Sequence, residues 1–134
     1  MWNTQNPYLI YEVYNVVMPN DNFHQKLNSA FELTLSIKGR NSGKYIPRPV
    51  WFVHEGNTLY LIPNRGSDTN WYKNLLAGSI LKISINGFEV SVRGKPITDR
   101  KGIDDVMDRF QSKYGNDFKK FYTTFDVAVK VRLW

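Results

Sequence analysis

Alternation is the plainest signal in this chain. Phe31, Leu33, Leu35 and Ile37 interleave with Glu32, Thr34, Ser36 and Lys38, the period of a strand with one buried face. Gly39 ends that run. After the loop Gly39–Gly43, residues 45–53 read as a second strand in which Pro47 and Pro49 each remove a ladder donor, so it bulges or lies at an edge. Glu55-Gly56-Asn57 turns the chain into a third strand over 58–62. Ile80 to Ile85 and Phe88 to Val92 alternate on either side of Asn86-Gly87, a strong hairpin signal because both turn residues tolerate positive φ. A last alternating run, Phe125, Val127, Val129, Val131 and Leu133, closes the chain.

Helical spacing occupies the gaps between these runs. Trp71 and Leu75 share a face in a short segment that Asp68 or Thr69 caps and Gly78 stops. Thr98 or Asp99 starts a longer helix with Ile103, Val106, Met107, Phe110 and Tyr114 on one face, ending at Gly115. A further helical turn passes through Phe118 and Phe121. Near the N-terminus, Ile10, Val13, Tyr14 and Val17 have helical spacing that Pro19 must interrupt. About six strands joined mostly by tight turns describe a small antiparallel barrel of the α+β class with short flanking helices. A doubly wound parallel sheet is disfavoured, because the first three strands and the central pair lack the crossover helices it requires.

Composition narrows the picture. With 134 residues the chain is sized for one domain, 1–134, with a core that needs no staple. There is no cysteine, which excludes disulfide frameworks, thiolate metal sites and cysteine nucleophiles. No basic leader or long apolar run is visible, so a soluble, cytoplasmic protein without a membrane span is expected. Eighteen Lys and Arg against twelve Asp and Glu give a net charge of +6, favouring a nucleic acid, an anionic lipid surface or a phosphorylated small molecule. The excess is local: no acid occurs between Glu32 and Glu55, while Lys38, Arg40, Lys44 and Arg48 all lie there.

The candidate chemistry follows that charge. Gly39-Arg40-Asn41-Ser42-Gly43-Lys44 combines two glycines, which let the backbone turn its amides inward, with two cations. It reads either as a phosphate cradle or as a basic loop with solvated charges. It is not a Walker A loop, since three residues rather than four separate the glycines and no hydroxyl follows Lys44. Trp71 and Tyr72 beside Lys73 and Asn74 serve core packing or stacking on a planar ring. For His24 and His54 sequence assigns no catalytic Ser or Asp and no carboxylate at ligand spacing, so no metal site is expected; Asp99, Asp104, Asp105 and Asp108 are interleaved with cations and read as a solvated helix face.

Leu33-Thr34-Leu35, Gly39 to Lys44, Pro49-Val50-Trp51-Phe52-Val53, Gly56, Asn64-Arg65-Gly66 and Trp71 to Leu75 together resemble the deazaflavin (F-420)-dependent nitroreductase and quinone reductase family. That family lies within the flavin-binding split β-barrels related to pyridoxamine 5′-phosphate oxidase. The likeness runs from about Phe31 to Pro96, with a compatible closing strand; residues 1–30 match weakly. The resemblance implies that the six strands form a split barrel, and further implies a homodimer and a phosphorylated redox cofactor, the deazaflavin coenzyme or alternatively FMN. By the same likeness Arg40, Asn41, Ser42, Gly43, Lys44, Arg48 and Pro49 meet the phosphate end, while Asn64, Arg65, Gly66, Trp71 and Asn74 lie along the rest. This chain departs from the family in having Asn41 and Ile46 where cations are common, and Arg48 where a small polar residue is common. No catalytic acid or base transfers.

The expected function is therefore hydride transfer from a reduced deazaflavin to a small electron acceptor, quinone-like or nitro-aromatic. The alternatives are an FMN-dependent oxidoreductase on the same barrel, or a non-catalytic module holding a flavin or nucleic acid. The missing acid–base triad does not count against an enzyme, because hydride chemistry belongs to the cofactor.

Overall fold

A computed structural model describes residues 21–133. The chain divides into two compact units, Met1–Ala30 with Trp134, and Phe31–Leu133. In the first, α1 (Asp21–Ser29) buries Phe23 and Leu27, four residues apart. The N-terminal segment with Ile10, Val13, Tyr14 and Val17 lies outside the described residues.

The second unit is a curled antiparallel half-barrel. Its strands are β1 (Leu33–Lys38), β2 (Tyr45–Val50), β3 (Val53–Glu55), β4 (Thr58–Leu61), β5 (Ile80–Ile85), β6 (Phe88–Ile97) and β7 (Ala128–Arg132). They form one sheet in the order β2-β1-β5-β6-β7-β4-β3, every neighbouring pair antiparallel. The expected α+β class and antiparallel sheet are found, with seven strands rather than six. The seventh arises because the run 45–53 is two strands, not one: the chain leaves β2 at Trp51-Phe52 and re-enters the sheet as β3 on the opposite edge. Pro47 and Pro49 do sit on an edge strand, opposite Ser36 and Thr34.

Two other departures come from single residues. β6 runs on to Ile97, five residues past Val92, pairing first with β5 through Arg93 and then with β7 from Gly94. A Cβ at Gly94 would lie 2.9 Å from methyl carbons of both Leu75 and Leu81, so glycine lets the sheet change partners against the helix packed inside the bend. That helix, α2 (Asn70–Gly78), includes Gly78; the left-handed residue that ends it is Ser79, at φ 60°. Its N-cap position is Thr69, whose hydroxyl accepts from the Arg65 amide at 2.8 Å instead of capping α2.

The hairpin between β5 and β6 turns on Asn86 and Gly87, both at positive φ. Alternation has its expected result: Leu33, Leu35, Ile37, Leu81, Ile83 and Ile85 are buried together with Leu59, Leu61, Val129 and Val131. Helix α3 (Arg100–Tyr114) starts where Asp99 accepts from the Gly102 amide at 2.8 Å. It packs Val106 and Phe110 with Val53, Ile62, Phe118, Tyr122 and Ala128 in a second core cluster. Its acidic face is the solvated one, with Asp104 and Asp105 ion-paired to Arg100 and Lys101 one turn before.

Candidate functional site

The corner between β2 and β3 is held by the end of α3. The Phe52 amide donates to the Tyr114 hydroxyl at 2.9 Å, and that hydroxyl lies 2.8 Å from the carbonyl oxygens of both Phe31 and Phe52. Lys113 Nζ donates to the Phe52 carbonyl at 2.9 Å while lying 3.6 Å from the centre of the Phe52 ring. The Tyr114 hydroxyl thus has the carbonyls of Phe31 and Phe52 as alternative acceptors, linking the entry of β1 to the corner. Burial pushes the Tyr114 hydroxyl up to about 12 and the Lys113 ammonium down to about 8. Trp51 stacks flat on Tyr114, with ring centres 4.4 Å apart and 12° between planes, and Phe31 and Phe121 meet Trp51 edge-on.

A second set of bonds places the segment after α3. The Thr123 amide donates to the Asn64 carbonyl at 2.9 Å, Arg65 bridges Thr124, and Asp126 accepts from the Ser67 amide and hydroxyl at 2.9 and 2.6 Å. The Ser67 hydroxyl and amide hold the Asp126 carboxyl below its usual range. Gly66 belongs to this clamp: at φ +58° a Cβ there would stand 2.1 Å from Asp126 Oδ1. The clamp sets Phe121 and Tyr122 beside the β2–β3 corner.

Between them lies a cavity of about 480 Å³, lined by Glu32, Arg48, Pro49, Val50, Trp51, Ile62, Asn64, Trp71, Phe121 and Tyr122. Its volume is in the range of small-molecule sites. Two indoles and two other aromatic rings make up much of its wall. Arg48 Nε is buried there without a hydrogen-bond partner. Arg48 stands opposite Leu35 in the β1–β2 register, so the guanidinium projects on the side of the sheet that otherwise buries apolar groups. Tyr122 is buried, which raises its pKa and keeps the phenol protonated at neutral pH.

The basic loop has a different construction. The Gly39 amide donates to the Lys44 carbonyl, the Gly43 amide to the Gly39 carbonyl, and the Lys44 amide to the Ser42 hydroxyl. The Arg40 amide and Nη1 both donate to Asn74 Oδ1, at 3.0 and 2.7 Å. Four loop amides are therefore satisfied internally or by α2, and any anion here meets mainly side chains. Lys44, Asn41 and Ser42 are exposed. Helix α2 joins loop and cavity, since Trp71 lines the cavity and Asn74, one turn later, anchors Arg40.

Of the residues singled out from sequence, Arg48, Pro49, Asn64 and Trp71 line the cavity; Arg40, Asn41, Ser42, Gly43 and Lys44 form the adjoining loop. Asn74 holds Arg40, and Arg65 and Gly66 serve the clamp, none of the three lining the cavity. Glu32, Trp51, Phe121 and Tyr122 line it without having been singled out as site residues. No cluster able to hold a metal, and no helix long and apolar enough to cross a membrane, occurs among the described residues.

The fold is shared with solved structures at low sequence identity. A protein from Bacteroides thetaiotaomicron assigned to 5-nitroimidazole antibiotic resistance is 16% identical with a TM-score of 0.67, over 86% of this chain and 80% of that one. An F420-H2 dependent reductase (FDR-A) is 14% identical with a TM-score of 0.60, over 76% and 94%. The haem storage protein HutZ of Vibrio cholerae is 9% identical with a TM-score of 0.65, over 83% and 87%. No curated protein matches the sequence significantly. Residues 24–131 match the family described as "Uncharacterized protein conserved in bacteria (DUF2255)", and the chain belongs to that family.

Proposed function

We propose that this chain is an oxidoreductase that binds a phosphorylated flavin-type cofactor, the deazaflavin coenzyme or FMN, and reduces a quinone-like or nitro-aromatic acceptor. The observation that carries the reading is the juxtaposition on α2 of an aromatic cavity and a cationic loop, a flat apolar wall next to an anion-binding end. The residues fit such a group: Arg40, Ser42 and Lys44 would hold its phosphate end, and Trp71 and Asn64 would border its ring. A reduced cofactor of this class supplies hydride when bound. The chain contributes binding, orientation by the rigid Trp51–Tyr114 stack, and exclusion of water by Phe121 and Tyr122. Neighbours named as a reductase and as a nitroimidazole resistance protein support the redox reading.

We also propose a homodimer. Tyr45 and Ile46 on the edge strand β2 are 41% and 39% exposed, and one fold neighbour is described as a domain-swapped dimer. Sedimentation should give a dimer at micromolar concentration, and a monomer there would contradict it. The functional test is titration of purified protein with FMN, deazaflavin and haem, then assay of acceptor reduction. Saturable binding of either of the first two with turnover is expected; haem binding alone would overturn the reading.

A further inference from the structure

The guanidinium of Arg48 is the feature the proposed function leaves unused. Arg48 is half-buried, its Nε is buried without a hydrogen-bond partner, and the cavity it lines is walled by Trp51, Ile62, Trp71, Phe121 and Tyr122. A buried charge-bearing donor without an acceptor is costly, and an acceptor entering the cavity would satisfy it. Among the described residues the one carboxylate in the cavity wall is Glu32, which is exposed and forms no ion pair with Arg48.

We propose that the cavity binds an acceptor that is a planar aromatic monoanion, its carboxylate paired with Arg48 and its ring against the adjoining Trp51 and Phe121. This deepens the redox reading and rests on it for the word acceptor. Two observations favour the acceptor's anion over the cofactor's phosphate. Arg48 lies four residues beyond Lys44, roughly 13 Å further along an extended chain, and so apart from the loop cations. It is also the only cation lining the cavity among the described residues, with Glu32 at the wall; a single guanidinium matches a carboxylate in a bidentate fork and leaves a phosphate dianion half neutralised.

The test is calorimetric titration with 4-nitrobenzoate and its neutral counterpart 4-nitrobenzyl alcohol, on the parent protein, Arg48→Gln and Arg48→Lys. No cofactor or turnover is needed, so its outcome is separate from the cofactor titration that judges the redox reading. The parent should prefer the carboxylate by roughly ten- to a hundred-fold, the range of a charge-assisted pair. Arg48→Gln should abolish the preference while leaving alcohol binding nearly unchanged, and Arg48→Lys should keep part of it. Equal affinity for both compounds in the parent, or an undiminished preference in Arg48→Gln, would overturn the proposal. Should Arg48→Gln fail to fold, the parent and Arg48→Lys decide: no preference in the parent, or one that the charge-preserving variant strengthens, overturns it. FMN and riboflavin form the remaining arm. If Arg48→Gln weakens FMN alone and leaves 4-nitrobenzoate untouched, the guanidinium reads the cofactor phosphate and the acceptor assignment falls.

Discussion

The loop Gly39–Lys44 and the corner at Trp51-Phe52 sit on either side of the same strand and solve opposite problems. The loop keeps its charges in water and satisfies its own amides, so it holds its shape without depending on a ligand. The corner sets its polar groups, part-buried, among rings and spends three of them, the Tyr114 hydroxyl, Lys113 Nζ and the Phe52 amide, on fixing one another. The loop can therefore lose a side chain with little structural cost, whereas the corner cannot. Affinity and stability should separate along that line.

The sharpest break in the comparison is Trp71→Ala. Trp71 is 4% exposed and forms both core and cavity wall, so its removal should cost about 3–5 kcal/mol of stability with or without cofactor. Chemical unfolding of the apoprotein measures it. Lys44→Ala should do the reverse: unfolding should move by less than about 0.5 kcal/mol, while cofactor affinity should fall roughly ten- to a hundred-fold. If it binds like the parent, the loop is a solvated turn and the comparison loses its functional half. Tyr114→Phe keeps the stack on Trp51 but strands the Phe52 amide, which should cost about 1–3 kcal/mol. A stability equal to the parent's would mean the corner is held by ring packing alone.

The smallest expected effect is a pH dependence. Lys113 is pushed down to about 8 by burial, against an ordinary value of 10.5, so from about pH 8 to 10.5 the unfolded chain binds the proton that the folded chain has released. Stability from this group therefore rises with pH across that window. Tyr114 and Tyr122 act oppositely, because their raised folded-state values favour the ionising unfolded chain above pH 10. Unfolding followed between pH 7 and 9.5 should show a gentle rise that Lys113→Met removes. A flat profile in the parent would place Lys113 in water.

The contrast also explains what could be read in advance. The hairpin at Asn86-Gly87, the alternation of β1 and β5 and the Asp99 cap are local patterns with local physical causes, and each stands where the residues put it. The break of 45–53 into β2 and β3 was hidden, because Trp51 and Phe52 carry ordinary strand propensity and only the docking of Tyr114 and Lys113, some sixty residues away, sets the corner. The site divides in the same way. Its loop was visible as a contiguous glycine-and-cation run, and Trp71 as an aromatic on a helical face. Phe121 and Tyr122 reach the cavity through backbone bonds from Asn64 to Thr123, which no spacing rule encodes. The apolar positions around Phe118 marked a packed turn; they did not mark which wall it would complete.

The claim that loop and cavity act together on one phosphorylated planar cofactor is tested most directly by tryptophan fluorescence, since Trp51 and Trp71 both line the cavity. FMN and riboflavin, and the deazaflavin coenzyme with its dephosphorylated form, should be titrated into the parent and Lys44→Ala. The account predicts saturable quenching by a phosphorylated cofactor, weaker binding of its dephosphorylated counterpart, and loss of that difference in Lys44→Ala. Absence of quenching by every cofactor, or equal affinity with and without phosphate in the parent, would contradict it.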